Sequence, residues 1–344
     1  MSPPGELMIV RHGPERGRRL ANVDCAFERL AAEEPALFAA IRIHRTGSSA
    51  PPSLEGVRAV FFWLADPLRE LYPECHREAA AIADEAKRRG LRLANPPDAL
   101  SNTMKSVQAR RWRDAGIDAP AHVPFVGRRG FEAALADAAY PALLESDPPH
   151  GQRHMRICRS EAEGRAIPDQ KISYPGALAP FVDVRSEWRK VQPDALWARF
   201  HHKKRVHVMG DIVLPRHVLF SESPIVGVES STLRSYRRRS RAAAWLALRR
   251  RPRDRDCLEA DLAFAASEPE CADLMRRATR ALDLDFVAID YATLPDGRSL
   301  LWEANPYDSL PGPTRSSLAQ QRGLRARRDS FYRALARFFR GLIA

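Results

Sequence analysis

The sequence lacks a long apolar run, a disulfide framework and a dinucleotide-binding fingerprint. Its longest uninterrupted apolar segments, among them Ala59 to Ala65, have seven residues, far short of the roughly 20 that cross a bilayer. The five cysteines are scattered without a CxxC pair, which argues against disulfides and against a zinc site. No GxGxxG motif is present. The first residues carry no export signal pattern, and we therefore expect a cytoplasmic protein without a membrane-spanning segment.

Lysine is scarce, whereas arginine is abundant. Only six of the 55 basic residues are lysine, and with 43 acidic residues the net charge is +12. One arginine-rich block runs from Arg234 to Arg255 and a second from Arg315 to Arg340. Such blocks attract nucleic acid, acidic peptides or nucleotides, or they form solvated helical faces. Because the first block has few stacking aromatics, we expect a small-molecule or peptide substrate rather than nucleic acid, and the positive charge favours an acidic one. The oligomeric state is left open.

The pattern of apolar segments predicts an α/β protein of more than one domain, because 344 residues exceed the usual size of a single core. The first hundred residues alternate short apolar strands with helices such as Cys75 to Arg89, which ends at Gly90. This alternation predicts a three-layer unit with a largely parallel sheet. The segment Asn95 to Asp98 interrupts the pattern and predicts a domain boundary.

Beyond Asp98 the sequence predicts a helix from Ser101 or Asn102 to Ala115, followed mostly by strands. Single strands are predicted at residues 122–126, 142–144, 155–158, 179–184 and 196–200. Hairpins are predicted at 205–214 and 284–306, with helices at 270–282 and at the C-terminal end.

The hairpin at 284–306 carries the residues most suited to chemistry. If Leu294 pairs with Ser299, then Asp290 lies opposite Glu303, and Asn305 points to the same side as Glu303. Two carboxylates opposite one another repel, and a divalent cation removes that conflict. Carboxylate and amide oxygens suit Mg²⁺, so the three side chains are candidate metal ligands. The alternative is an exposed hairpin face with scattered acids.

Two motifs of this hairpin resemble those of a known family. The segment Ala288-Ile289-Asp290-Tyr291-Ala292, followed by Glu303-Ala304-Asn305-Pro306, resembles the metal-binding end of the ATP-grasp ligases. The likeness is greatest to the branch that contains glutathione synthetase and the ribosomal-protein glutamate ligase. It extends more weakly over residues 95 to 310.

The resemblance implies a mixed α/β and α+β architecture, in which an ATP-grasp fold follows an N-terminal three-layer α/β domain. The implied divisions are an N-terminal domain at 1–97, a small subdomain at 98–182 and a large subdomain at 183–344. The large subdomain would include the arginine-rich insertion at 230–256 and the C-terminal helix. The implied cofactors are ATP and Mg²⁺. The implied activity is a ligase that joins a carboxylate to an amine or an alcohol through an acyl phosphate, releasing ADP and phosphate.

The resemblance also implies nucleotide contacts. Lys105 stands where the family has its first phosphate-contacting lysine, although an isolated lysine on a helix is usually solvated. The segment around Phe181 and Val182 is similar to the strand whose backbone meets adenine. Asp183 would then lie near the ribose, or it is simply an acid at the end of a strand.

A further match concerns the terminal phosphate. Arg205 and Lys203 are the implied catalytic residues, because His202 to Val206 resembles the strand on which a basic side chain reaches that phosphate. Alternation places Lys203, Arg205 and His207 on one face of the strand, where they would bind phosphate oxygens. A cross-strand ion pair is the competing account.

One departure from the family pattern concerns Glu145. This carboxylate stands where the family has a second phosphate-contacting base, and only Gly151 remains of a glycine-rich flap. A carboxylate facing ATP weakens binding unless it pairs with a base or a metal. Arg153 or His154 is a candidate source of the missing charge. The departure makes a catalytically inactive nucleotide-binding scaffold, or a basic nucleic-acid-binding protein, the alternative functions.

Overall fold

In the described part of the chain, the computed structural model has three four-stranded β-sheets. It describes residues 6–13, 23–48, 51–147, 155–227, 230–232, 252–308, 310 and 318–344. The three sheets are built from consecutive stretches of the sequence. The first lies within residues 7–94, the second within 123–180 and the third within 201–305.

The first sheet is parallel and has the order β2-β1-β3-β4. Its elements are β1 (Leu7–Arg11), α1 (Asp24–Glu33), α2 (Pro35–Ala39), β2 (Ile41–Arg45), β3 (Ala59–Trp63), α3 (Leu68–Leu71), α4 (Pro73–Arg88) and β4 (Arg92–Ala94). Along β1, Met8 and Val10 pack in one apolar cluster with α4, while Leu7 and Ile9 pack in another with α1. Both faces of the sheet are therefore covered, and the predicted three-layer unit is confirmed.

The second sheet is antiparallel and has the order β5-β8-β6-β7. A 3₁₀ segment (Pro97–Thr103) and α5 (Lys105–Asp114) precede it. Its elements are β5 (Val123–Phe125), α6 (Gly127–Ala136), β6 (Ala142–Ser146), β7 (Arg156–Cys158), α7 (Glu161–Arg165) and β8 (Gly176–Pro180). The strand predicted at 179–184 is wrong in its extent, because β8 ends at Pro180.

The start of α5 also differs from the prediction. The helix begins at Lys105, and neither Ser101 nor Asn102 caps it. The carboxylate of Asp147, at the end of β6, instead accepts hydrogen bonds from the Ser106 amide at 2.8 Å and from its hydroxyl at 2.7 Å. A cap supplied from 41 residues away leaves no local signal in the sequence.

The third sheet is antiparallel and has the order β10-β9-β11-β12. Its elements are α8 (Val184–Val191), α9 (Leu196–Arg199), β9 (His201–Met209), β10 (Ile212–Ser221), α10 (Pro252–Ala266), α11 (Ala272–Ala281), β11 (Phe286–Thr293) and β12 (Ser299–Asn305). The chain ends in α12 (Leu318–Ile343). The strand predicted at 196–200 is wrong. Leu196 and Trp197 both pack against the cluster around Phe220. Adjacent residues on a strand would point to opposite faces and could not both do so.

Two features join the first sheet to the third. The fully buried Asn95 accepts hydrogen bonds from the amides of Asp285 and Phe286 at 2.8 and 2.9 Å, and its amide donates to Phe286 O at 2.7 Å. Helix α12 contributes Phe331 and Phe339 to the apolar cluster that holds one face of the first sheet. Among the described helices, none is both long enough and apolar enough to span a bilayer. The domain limits at 97 and 182 stay a prediction.

Candidate active site

A row of three polar side chains crosses the third sheet. Asp290 on β11 pairs with Arg205 on β9 at one side and with Glu303 on β12 at the other. The neighbouring residues Val206 and Ile289 belong to the apolar cluster on the opposite face. Strand alternation therefore separates a polar face from an apolar one.

The pairing of Asp290 with Glu303 is confirmed, but the register that produces it differs from the prediction. Thr293, rather than Leu294, pairs with Ser299. A bulge between Asp290 and Tyr291 then adds one residue on β12 and restores the predicted partner. Bulges of this kind redirect side chains next to functional sites, and this one lies directly beside the polar row.

Asp290 is fully buried and accepts hydrogen bonds on both carboxylate oxygens. Arg205 donates from Nε to Oδ1 at 2.5 Å and from Nη2 to Oδ2 at 2.8 Å, and Lys203 Nζ lies 2.7 Å from Oδ2. The bidentate contact holds the guanidinium plane in one orientation. Arg205 and Lys203 therefore make the cross-strand ion pair that competed with a phosphate contact in the sequence analysis.

Asp308 is a further member of this cluster that sequence analysis missed. Its Oδ1 accepts a hydrogen bond from Arg205 Nη1 at 2.6 Å, and its Oδ2 lies 3.6 Å from His207 Nε2. Burial opposes ionisation of Asp308, but Arg205 and His207 hold its pKa well below the ordinary value of 3.8. Burial lowers the pKa of His207, and Asp308 only partly opposes this. The only available signal was its place three residues after Asn305, in the segment that leaves β12.

A second polar cluster comes from α5 and the second sheet. Lys105, at the first turn of α5, donates to Glu145 on β6, and His122 Nε2 lies 2.8 Å from the other oxygen of that carboxylate. Lys105 and Glu145 are both buried. Burial alone would raise the pKa of Glu145, but the Lys105 ammonium together with His122 lowers it below 4.5. Glu145 thus has the basic partner that its position requires, and Lys105 is buried rather than solvated.

Glu303 connects the two clusters electrostatically. Its charge acts on both Lys105 and Arg205, although burial is the largest influence on each of these two cations. Together the clusters hold three cationic side chains, Lys105, Lys203 and Arg205, and four carboxylates, Glu145, Asp290, Glu303 and Asp308. The two sheets therefore contribute charges of both signs to one region.

Gln108 positions the strand that carries Glu303, and sequence analysis missed this residue too. It is fully buried on α5, and its side-chain oxygen accepts a hydrogen bond from the Ala304 amide at 2.9 Å. Its side-chain nitrogen lies 3.5 Å from Trp302 O, at the bulge. The polar side chain of Gln108 thus satisfies backbone groups on both sides of Glu303.

The residues expected to contact the nucleoside lie just after β8. The Phe181 amide donates to Pro141 O at 2.8 Å, and Val182 O accepts from the Val184 amide at 3.1 Å, so these two backbone groups are already engaged. Asp183 precedes α8, and its Oδ1 lies 3.4 Å from His201 Nδ1. Asp183 therefore stands at a helix start rather than at the end of a strand.

Comparison with solved structures places this geometry in a known fold. The ATP-grasp ligase PsnB, complexed with a phosphomimetic variant of a minimal precursor, Mg and ADP, aligns over 100% of both chains at 14% identity and a TM-score of 0.57. D-cycloserine synthetase DcsG covers 97% of this chain and 99% of its own at 12% identity and 0.53. The chain has the ATP-grasp fold. The RimK domain ATP-grasp protein from Sphaerobacter thermophilus DSM 20745 is similar over 96% of this chain and 98% of its own, at 15% identity and 0.50.

The ATP-grasp expectation is thus confirmed at the level of the fold. No protein-family model and no curated protein matches the sequence. At identities of 12–15% the likeness concerns the fold alone, and the branch within the superfamily stays a prediction. The roles of individual site residues therefore rest on the geometry of this chain alone.

The predicted magnesium ligands lie on two paired strands, β11 and β12. Asp290, Glu303 and Asn305 combine two carboxylates with an amide oxygen, a hard donor set that fits Mg²⁺. Asn305 is buried, and its side-chain nitrogen has no hydrogen-bond partner among the described residues. Both oxygens of Asp290 already accept hydrogen bonds, so a cation would share this carboxylate with Lys203 and Arg205. The part of the chain that is described contains no group of three His, Cys, Asp or Glu side chains suited to a metal.

Some sequence predictions lie outside the described residues. These are the remnant of the flap at Gly151, the candidate bases Arg153 and His154, and most of the arginine-rich insertion at 230–256. Their relation to the site stays a prediction.

Proposed function

We propose that the protein is an ATP-dependent ligase that joins a carboxylate to an amine or an alcohol. The observation that carries this proposal is the polar row Arg205, Asp290 and Glu303, whose last member also acts on Lys105. Charge neutralisation at this junction suits phosphoryl transfer, where positioning and electrostatics account for most of the catalysis. The ATP-grasp fold supports the same activity.

In the proposed mechanism, the carboxylate of the substrate attacks the terminal phosphorus of ATP. The bond from that phosphorus to the bridging oxygen breaks, which yields an acyl phosphate and ADP. An amine or alcohol then attacks the acyl carbon, loses its proton and displaces phosphate. Asp290, Glu303 and Asn305 would hold Mg²⁺, which supplies charge neutralisation on the phosphates.

The chain's own residues would position the nucleotide. We assign Lys203 and Arg205 to the terminal phosphate and Lys105 to the phosphates from the α5 side. Each of these cations is already paired with a carboxylate, and the resulting rigidity favours a preorganised site. Phe181 and Val182 would face adenine, and Asp183 would lie near the ribose.

For the substrate, we propose an amino acid or an acidic peptide. The similar ligase PsnB is complexed with precursor peptide PsnA2 and AMPPNP in a structure that covers 97% of both chains at a TM-score of 0.50. The net charge of +12 also favours an acidic substrate. We place the protein in the glutathione synthetase and ribosomal-protein glutamate ligase branch on the strength of its two hairpin motifs.

Thermal unfolding with and without Mg·ATP tests the nucleotide site. A ligand at about 100 times its Kd adds roughly 2.7 kcal/mol and raises the Tm by a few degrees in a chain of this size. We expect this rise in the wild type and its loss in Asp290→Asn/Glu303→Gln. The matched control is Asp273→Asn/Glu187→Gln, which removes one exposed and one half-buried carboxylate outside the proposed site and should keep the rise.

Two outcomes would contradict the proposed site: no rise in the wild type, or an equal rise in the double variant. Because Asp290 is fully buried, the single variant Glu303→Gln provides a second test should the double variant unfold. Formation of ADP with amino acids and acidic peptides then tests turnover.

A nucleotide-binding scaffold without turnover is the second candidate. The specific observation in its favour is that Glu145 neutralises Lys105, a cation otherwise assigned to phosphate. This function predicts the Mg·ATP-dependent rise in Tm without ADP formation. If Glu145→Gln binds ATP more tightly and still forms no ADP with any substrate that we test, the scaffold is favoured.

A further inference from the structure

A cavity of about 530 Å³ opens on the apolar side of the third sheet, away from the polar row. Lys204 and Tyr291 line it from the sheet, and Phe264 lines it from α10. Cys271, directly before α11, and Arg277, within α11, also belong to the lining. Its volume is in the range of small-molecule sites. None of the residues assigned to ATP, Mg²⁺ or phosphoryl transfer lines it.

Lys204 is the distinctive feature of this cavity. Its Nζ donates to Thr293 Oγ1 at 2.9 Å and lies 5.0 Å from the ring centre of Trp197, 5.8 Å from that of Phe264 and 6.0 Å from that of Tyr291. No carboxylate within the described part of the chain lies within 4 Å of this ammonium. Burial lowers the pKa of Lys204, and Cys271 and Glu270 only partly oppose this.

The surroundings of Lys204 leave it short of a counter-ion. The faces of the three rings attract the ammonium, and Thr293 accepts one of its three N–H bonds. Glu270 attracts this charge only from beyond 4 Å, so the partly buried ammonium is still costly, and an anion entering from the cavity would lower that cost. The opening is therefore complementary to a group that bears one negative charge.

The other residues of the lining limit the polarity and the charge of a ligand's remaining part. Phe264, Leu274 and Tyr291 provide apolar and aromatic surface. Glu268 and Glu270 are exposed parts of the lining and disfavour a second anionic group there.

We propose that this cavity binds a small molecule that carries one carboxylate on an apolar body of about the size of an aromatic ring, with the carboxylate at Lys204. The site is separate from the proposed nucleotide site, and the proposal does not rest on the ligase activity.

Benzoate and its neutral counterpart benzamide are suitable probes. The chain has only six lysines, so ¹³Cε-lysine labelling yields a simple NMR spectrum in which five lysines serve as internal controls. The signal absent from Lys204→Arg assigns Lys204. Benzoate is expected to shift this signal in a saturable manner, whereas benzamide at the same concentration leaves it in place. A spectrum in which benzoate shifts no signal, shifts another lysine instead, or acts no better than benzamide would overturn the proposal.

The matched variants are Lys204→Met, which keeps the apolar stem and removes the charge, and Lys87→Met, which removes an exposed lysine on α4. Lys204→Met is expected to weaken benzoate binding about tenfold or more, and Lys87→Met to leave it unchanged. Equal affinity for benzoate in wild type and Lys204→Met would refute the proposed contact. The NMR comparison in the wild type decides the question should Lys204→Met fail to fold.

Discussion

Lys203 and Lys204 are adjacent on β9, yet the sheet gives them opposite environments. The ammonium of Lys203 lies 2.7 Å from the buried carboxylate of Asp290, on the face that carries the polar row. The ammonium of Lys204 lies among three aromatic rings and donates to a hydroxyl. Because strand side chains alternate, a single step along the chain separates a paired cation from one that has no carboxylate within 4 Å in the described residues. The identity of a residue therefore says less about its role than the face on which it lies.

The strongest way to break this comparison is to remove the anion from the polar face. Asp290→Asn leaves Lys203 and part of the Arg205 guanidinium without their charged partner. Breaking a buried ion pair from one side costs about 3–5 kcal/mol, and we expect a loss of this size in the free energy of unfolding, measured with urea. The control Asp273→Asn removes an acid that is 94% exposed and should leave the unfolding midpoint unchanged. A loss below about 1 kcal/mol for Asp290→Asn would mean that the buried pair contributes no more than an exposed one.

The contribution of Asp290 also shows what the sequence could predict. The parallel N-terminal sheet follows from the alternation of strands and helices, and the hairpin turn signals predict that Asp290 lies opposite Glu303. The bulge that produces this opposition could not be predicted, because a bulge depends on how two strands pack rather than on either strand alone. The predicted partner of Asp290 is therefore correct, although the predicted register at the turn is wrong by one residue.

Contacts between distant elements were beyond the reach of sequence patterns. The sequence indicated that the Glu145 carboxylate needs a base or a metal. Its partners come from α5 and from the segment before β5, 40 and 23 residues away, and could not be identified from the sequence. Asp308 and Gln108 were missed for the same reason. The motifs therefore indicated which residues lie at the candidate site. Only the fold shows which of their charges neutralise one another.

The second polar cluster makes the free energy of unfolding depend on pH through Glu145. Glu145→Gln leaves Lys105 buried with a neutral partner, and we expect a loss of about 3 kcal/mol at pH 7, near the lower end of the range for a broken buried pair, because the amide oxygen still accepts a hydrogen bond. The pKa of Glu145 is lower in the folded protein than its ordinary value of 4.5. Its stabilising effect is therefore fully present above pH 4.5 and is lost as the pH falls through the folded-state pKa.

Urea unfolding of both proteins between pH 7 and pH 3 measures this dependence. The advantage of the wild type over Glu145→Gln should be constant down to about pH 4.5 and then shrink. Taking the difference between the two proteins cancels the contribution of Asp308, whose pKa is also lowered. An advantage that grew on acidification would show that Glu145 is not held as a carboxylate by Lys105.

The smallest expected effect is also the most direct test of the comparison, because it uses the same substitution at neighbouring positions. Lys203→Met removes one of the two cations that contact Asp290 and should cost about 1–2 kcal/mol, since Arg205 still holds that carboxylate. Lys204→Met removes an ammonium that has no carboxylate within reach in the described residues and leaves a side chain suited to the aromatic surroundings. We expect its free energy of unfolding to stay within about 0.5 kcal/mol of the wild type or to rise slightly. Urea unfolding of both variants at pH 7 measures the difference. Equal losses would mean that the two faces of β9 do not differ in the way that their contacts imply, whereas opposite signs would establish that Lys204 is retained at a cost to stability, as expected of a residue kept for binding.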